Sequence, residues 1–270
     1  MPLHTTELWN QLQHAPGVLV TVASVEGSGP REVGAWMAVF PHTLVNTIGG
    51  GHLEFQAIAQ ARSWSGSASQ DGAFVNRYAL GPALGQCCGG VVHLKFEQIS
   101  KTDMPMLKER LPIQANPVAL FGGGHVGHAL VNVLSSLPFQ VHWIDSRDEI
   151  FPVQLPANVV CDHSDPVHAA VEDLPSGACV LIMSFSHAED LDVVAACLKR
   201  QRLQGDLKFV GLIGSKTKWA TFQHRLEAKG FSAQELAFIT CPIGVDGIYG
   251  KEPEVIAIAV AAQLLQLDRK

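Results

Sequence analysis

The chain has 270 residues, 47% of them hydrophobic, which is enough for two domains of ordinary size, each with its own core. A formal net charge of −6 without any lysine or arginine run argues against a nucleic-acid partner and against an anionic membrane surface, and leaves small molecules or proteins as partners. No segment has the uninterrupted apolar length of a bilayer span, and the opening Met1-Pro2-Leu3-His4-Thr5-Thr6 feeds no apolar stretch from a charged region, so the expected location is cytoplasmic with no membrane contact.

In chain order, Thr6 to His14 puts Leu8, Trp9 and Leu12 on one helical face, and the β-branched run from Val18 to Val25 follows as a strand. After the turn Gly27-Ser28-Gly29-Pro30-Arg31 come two strand-like runs, Ala35 to Phe40 and Thr43 to Ile48. They lead into Gly49-Gly50-Gly51 and a helix from about His52 to about Trp64. The stretch from Gln98 to Asn116 mixes charges with Pro105 and Pro112, carries little periodicity, and reads as a connector or short helix. A boundary near residue 113 therefore divides the chain into residues 1–113, a small mixed α/β domain of unspecified topology, and residues 114–270.

The second part alternates apolar runs with helical patterns. Val118-Ala119-Leu120-Phe121 is a buried strand, and Val126, Ala129, Leu130, Val133 and Leu134 recur as one helical face. Further strands follow at Val141 to Asp145, Val159 to Cys161, Cys179 to Met183 and Phe209 to Ile213. Asp165-Pro166 opens a helix after the third strand, and helices run from about Glu189 to Arg202, along Trp219, Phe222 and Leu226 to Gly230, and from Pro253-Glu254 onward. Ser232 and Glu235 have capping-box spacing. Repeated βα alternation implies a Rossmann-like, doubly wound parallel sheet covered on both faces.

Gly122-Gly123-Gly124-His125-Val126-Gly127 is a G-x-G-x-x-G between a strand and a helix, with Asp145 ending the next strand about twenty residues on. In this context Gly122, Gly124 and Gly127 serve a tight turn, close approach of backbone to phosphate, and helix packing. His125 follows the turn. Asp145 would meet ribose hydroxyls, and Arg147 an extra phosphate. The simpler alternative is a structural turn that binds nothing. Gly211 to Lys218 also runs from strand to helix, so Ser215, Lys216 and Lys218 could converge on an anion, or Ser215 could be an ordinary N-cap beside solvated lysines. It lacks Walker A spacing.

Upstream, Gly49, Gly50, Gly51 and His52 repeat the Gly-Gly-Gly-His run, with Glu54 two residues later, and read either as a second close backbone approach to a ligand or as an ordinary glycine helix entry. Arg31, after a rigid turn, would aim its guanidinium at an anion or a carbonyl. Gly85-Gln86-Cys87-Cys88-Gly89-Gly90 sets two adjacent thiols between glycines. They lack the reach of a zinc knuckle and fit soft-metal or sulfur chemistry better than a strained vicinal disulfide. Cys161, Cys179, Cys197 and Cys241 lie in or near apolar runs, so burial is their expected role, and His93 and His142 sit in strand patterns as structural residues.

Together with Gly34-Ala35-Trp36-Met37, Thr47 to Glu54, Ile213-Gly214-Ser215-Lys216 and Pro242-Ile243-Gly244, these motifs resemble the XdhC/CoxI family of xanthine dehydrogenase accessory proteins over nearly the whole chain. The resemblance implies a non-enzymatic, homodimeric chaperone that binds molybdenum cofactor, protects it while a cysteine desulfurase sulfurates it, and delivers it to apo xanthine dehydrogenase. It also implies that Cys87 and Cys88 are thiols near the metal and that Gln86 belongs to the same motif. Two other readings stand beside it: an NAD(P)-dependent oxidoreductase with a dinucleotide on Gly122 to Gly127, and a scaffold that recruits both enzymes without holding cofactor.

Overall fold

The computed structural model describes residues 2–65, 72–81, 89–111 and 115–267. They form two units, one over His4–Ile113 and one whose body is Gln114–Lys270.

In the first unit, helix α1 (Pro2–His14) leads into strands β1 (Gly17–Glu26), β2 (Trp36–Val39) and β3 (Leu44–Asn46). Helix α2 (Gly51–Ser65), strands β4 (Ala73–Ala79) and β5 (Val91–Ile99), and helix α3 (Met104–Arg110) complete it. The five strands make an antiparallel sheet in the order β3-β2-β1-β5-β4. Val18, Leu19 and Val20 form a continuous apolar run because both faces are covered at β1. Leu53, Ala57 and Ala61 of α2 pack on Val18, Val20 and Leu94, whereas Leu8 and Leu12 of α1 and Leu107 of α3 pack on Leu19, Ala38 and Ile99.

Strand β5 runs to Ile99, into the stretch read from sequence as a connector or short helix. Its pattern is period two, with buried Val92, Leu94 and Phe96 alternating with partly buried Val91, His93, Lys95 and Glu97. Among the described residues of that stretch, Met104–Arg110 form the α-helix.

The second unit contains β6 (Asn116–Phe121), α4 (His125–Leu134), β7 (Phe139–Asp145), β8 (Val159–His163) and β9 (Cys179–Ile182). After them come α5 (His187–Gln204), β10 (Phe209–Leu212), α6 (Lys216–Ala228), α7 (Ala233–Leu236), β11 (Ile239–Thr240) and α8 (Pro253–Leu267). All pairings are parallel, in the order β11-β10-β9-β6-β7-β8. The chain thus starts at the centre, winds outward through β7 and β8, and reverses to β9, the 3-2-1-4-5-6 order of a nucleotide-binding sheet. Leu130 and Leu134 of α4 and Val260 and Leu264 of α8 cover Val118, Leu120 and Val141 on one face. Val194, Leu198, Phe222 and Leu226 cover Phe121, Val180 and Val210 on the other.

Each such fully buried aliphatic or aromatic side chain contributes about 1.5–3 kcal/mol. The helix expected after Asp165-Pro166 is a 3₁₀ turn over Val167–Asp173. Capping boxes at Ser186/Glu189 and Ser232/Glu235 fix the starts of α5 and α7.

Candidate functional site

Where the winding reverses, the C-terminal ends of β6 and β9 lie side by side, the place where open α/β sheets form a ligand crevice. The three spaced glycines of the G-x-G-x-x-G, Gly122, Gly124 and Gly127, meet different surroundings there. Gly122 has φ +122°, and a Cβ on it would lie 2.0 Å from the Met183 carbonyl oxygen at the end of β9. A Cβ on Gly127 would lie 2.1 Å from the Gly122 carbonyl oxygen, which also accepts a 3.0 Å hydrogen bond from Trp143 Nε1. Gly124 is the N-cap of α4; it supplies no capping side chain, and a Cβ there would enter open space. The first turn of α4 therefore points its N–H groups and positive dipole end past a residue with no side chain, an arrangement suited to a phosphate.

The acid at the end of β7 is committed within the protein. Asp145 is 1% exposed. Its Oδ2 accepts from Gly123 N at 2.6 Å and Arg147 Nη2 at 2.9 Å, and its Oδ1 from Arg147 N at 2.9 Å and Arg147 Nε at 2.8 Å. These four donors fill the acceptor sites of a carboxylate. Burial pushes the Asp145 pKa up, but the hydrogen bonds from Arg147 and the Gly123 N–H outweigh it and hold the group below its ordinary value. Arg147, fixed in this way, lies over the Phe185 ring at 4.4 Å.

A depressed carboxyl pKa stabilises the folded state above the unfolded value, and that stability is lost as pH falls through the folded one. Asp145→Asn is therefore expected to lower stability near neutrality by about 1–3 kcal/mol and to flatten the acid limb of the stability profile below about pH 4. Urea unfolding across pH checks both; an unchanged acid limb would contradict the assignment.

Opposite, Ser215 caps α6 by accepting from Lys218 N at 3.2 Å, and Lys216 is exposed. Lys218 is not a solvated lysine. Its Nζ donates to Asp190 Oδ2 at 2.6 Å and to Ile213 O at 2.9 Å, while Asp190 Oδ1 accepts from Ser184 N at 2.7 Å. The anion that Lys218 meets thus belongs to the chain's own α5. Asp190, Phe185 and Glu189, which accepts from Ser146 Oγ at 2.7 Å, are rim residues that sequence reasoning did not single out.

In the first unit the structure brings Arg31, Gly49, Gly50 and Glu54 together. A Cβ on Gly49 would lie 2.6 Å from Pro30 Cβ, so the two glycine-rich turns pack on each other. Arg31 Nη1 donates to the backbone carbonyl oxygen of Thr47 at 3.3 Å, and Arg31 also pairs with Glu32. Glu54 Oε2 accepts from Thr47 Oγ1, from Ile48 N at 3.1 Å and from Gly50 N at 3.1 Å. The carboxylate of Glu54 thereby serves the glycine turn that begins at Gly49 and leads, through Gly51, into α2. His52 and His125 are exposed, His52 lying 3.2 Å from Gln56 Nε2.

Gln86, Cys87 and Cys88 lie outside the described residues. Among those described, no group of three or more His, Cys, Asp or Glu side chains is placed to hold a metal ion, and no helix is long and apolar enough to cross a membrane. Cys179 and Cys197 are buried, and Cys161 and Cys241 are half-buried rather than fully so. Burial pushes the Cys197 thiol up to about 12 and the Cys241 thiol up to about 11, so neither is a ready thiolate.

Residues 118–264 match the XdhC Rossmann domain family, and residues 11–75 match the XdhC and CoxI family. The chain is 24% identical over 265 residues to the uncharacterized protein YqeB of Escherichia coli K12. It spans 94% of this chain but only 44% of that relative's length. A crystal structure from Bacillus halodurans, described as a xanthine dehydrogenase, superposes with a TM-score of 0.79 at 21% identity, covering 98% of this chain and 96% of that one, and so shares the fold.

Proposed function

Given that the chain belongs to the XdhC and CoxI family, we propose that it is an accessory factor of xanthine dehydrogenase maturation. In this reading it holds molybdenum cofactor, shields it while a cysteine desulfurase installs the terminal sulfur, and passes it to the apoenzyme, without itself being an enzyme. The cargo is a pterin with a dithiolene-bound metal and a phosphate. It needs an anion site at one end and soft donors at the other. The observation that carries the reading is the uncapped start of α4 behind Gly124, at the reversal of the sheet. Cys87 and Cys88 are the soft donors assigned to the metal end, with Gln86 beside them.

An NAD(P)-dependent oxidoreductase is the second reading, and Asp145 weighs against it. A dinucleotide places its ribose diol on the acid at this position, whereas here the diol would have to displace Arg147 from a filled carboxylate.

The test is retention. The full chain incubated with excess molybdenum cofactor and passed through gel filtration should carry both molybdenum and pterin, measured by elemental analysis and by fluorescence of the oxidised pterin. The Cys87→Ala/Cys88→Ala double variant should lose most of the metal. Absence of retention sinks the carrier role, and retention unchanged in the double variant sinks the role given to the thiols. Titration with NAD(H) and NADP(H) should show no hydride transfer.

A further inference from the structure

A groove of about 510 Å³ lies in the first unit where α2 passes the outer strand of the sheet, and its volume is in the range of small-molecule pockets. Phe55, Gln56, Ala59 and Gln60, spaced along one side of α2, make one wall. Asn76, Arg77 and Tyr78 of β4 make the other. Among the described residues that line it there is no carboxylate.

Strand β4 is the last on its side of the sheet, and the ladder to β5 fixes which of its backbone groups are spent. Leu80, one position past the strand, donates its N–H to Gly90 O at 2.8 Å, and the register from Ala79↔Val91 to Ala73↔Glu97 is unbroken. Bonded and non-bonded pairs alternate in an antiparallel ladder, so Phe74, Asn76 and Tyr78 give their N–H and C=O to β5. Val75 and Arg77 turn theirs to the outer edge, where no strand among the described residues takes them. At Arg77 this leaves one donor and one acceptor side by side in the wall of the groove.

The side chains extend that pattern. Asn76 and Tyr78 share the face of β4 on which Phe74 meets the Trp64 ring of α2, and the Asn76 amide donates to the Tyr78 hydroxyl. The Gln56 amide nitrogen lies 3.2 Å from His52 Nε2. Both amide nitrogens are thus engaged within the protein, and the carboxamide oxygens of Gln56 and Asn76 are left as acceptors. Tyr78 and Phe55, the latter 69% exposed, add aromatic faces.

The groove therefore offers an amide oxygen, the Arg77 carbonyl and the Arg77 N–H. The complementary ligand edge reads donor, donor, acceptor: an exocyclic amine, a ring N–H and a ring carbonyl. Pterins and guanine share that edge in their 2-amino-4-oxopyrimidine ring. Uracil and lumazine lack the amine, and adenine lacks the ring N–H beside a carbonyl.

We infer that the groove between α2 and β4 binds a planar 2-amino-4-oxo ring, held by its edge on the Arg77 N–H and C=O. Its amine meets the Gln56 or Asn76 amide oxygen, and its face lies against Tyr78 and Phe55. The carrier reading enters only in saying which ring of this class is the natural one, a pterin. The connection from β4 to β5 also carries Cys87 and Cys88 in the sequence, so consecutive parts of the chain would address the ring and the metal of the cargo.

The test uses the full chain and three probes without metal: 6-hydroxymethylpterin, guanosine monophosphate and lumazine, each followed by amide chemical shifts. A 2-amino-4-oxo ring should bind and move the amides of Val75 and Arg77, and lumazine should bind about 10-fold more weakly than the pterin. Tighter binding of the pterin supports the site as part of the cargo's, and tighter binding of guanosine monophosphate supports it as a nucleotide site. Ala59→Trp, at an exposed helical position, fills the groove and should weaken ring binding by about 100-fold with an unchanged circular dichroism spectrum. Gln56→Met/Asn76→Leu should erase the preference for pterin over lumazine while leaving lumazine binding unchanged. Failure of both 2-amino-4-oxo rings to bind, shifts that spare Val75 and Arg77, wild-type binding by Ala59→Trp, or a preference kept by the double variant would overturn the inference. Molybdenum retention is measured separately. A chain that binds the pterin at these amides but retains no molybdenum keeps this site and loses the carrier role, and one that retains molybdenum without any pterin contact there does the reverse.

Discussion

Replacing Gly127 with alanine is expected to destabilise the Rossmann unit by about 3 kcal/mol, although in most helices the same change is favourable. Alanine gains about 1 kcal/mol over glycine at an unconstrained helical position. At Gly127 the added methyl would stand 2.1 Å from the Gly122 carbonyl oxygen. That oxygen cannot yield cheaply. It is backbone, Trp143 Nε1 holds it, and Gly122 is itself pressed against Met183 O. Overpacking therefore outweighs propensity. Gly124→Val is the contrast: its Cβ meets nothing within 4 Å and its φ of −75° suits any residue. Its stability should stay within about 0.5 kcal/mol of wild type, while the branched side chain fills the approach to the α4 N-terminus and abolishes retention of molybdenum cofactor. Urea unfolding of both variants, with the retention assay on Gly124→Val, separates a glycine needed for packing from one needed for access. A Gly127→Ala protein as stable as wild type, or a Gly124→Val protein that still carries cofactor, would refute the respective assignment.

The turn was legible because each of its requirements is local. A β-branched run, three spaced glycines and an amphipathic helix are written in consecutive residues, and the parallel sheet follows from their repetition. Ser186 and Glu189 also carried a readable capping box for α5, and the alternation of Val92, Leu94 and Phe96 was a readable strand obscured by the charges and prolines after it. What Asp145 and Lys218 do could not be read in the same way. From the sequence Asp145 reads as meeting ribose hydroxyls and Lys218 as either converging on an anion or staying solvated, and each has an oppositely charged partner in the protein: Arg147 two residues away, and Asp190 on another helix. No local pattern says whether a buried charge is satisfied from within or waits for a ligand, because the answer depends on helices brought together by the sheet. Phe185 follows the same rule: only the winding order sets its ring under Arg147.

Asp190 then carries the second large prediction. Its side chain is 3% exposed and that of Lys218 12%, and between them they tie the end of β9 through Ser184 N, the start of α5, the end of β10 through Ile213 O, and α6. Asp190→Leu leaves the Lys218 ammonium without its counter-charge and should cost about 3–5 kcal/mol. Adding Lys218→Met removes the stranded charge and should recover part of this loss. Full recovery is not expected, because Ser184 N–H and Ile213 C=O still lose partners at about 1–3 kcal/mol each. The coupling measured by the double-mutant cycle should therefore be large and favourable in sign to the pair. Ser184 N lies 3.1 Å from where a Cβ on Gly122 would stand, so loosening this end of β9 also loosens the wall against which the glycine turn is set. Chemical denaturation of the two single variants and the double variant measures the first effect, and cofactor retention by the double variant measures the second. Additive losses would show that Asp190 and Lys218 act separately, and full retention at reduced stability would show that the rim tie serves folding alone.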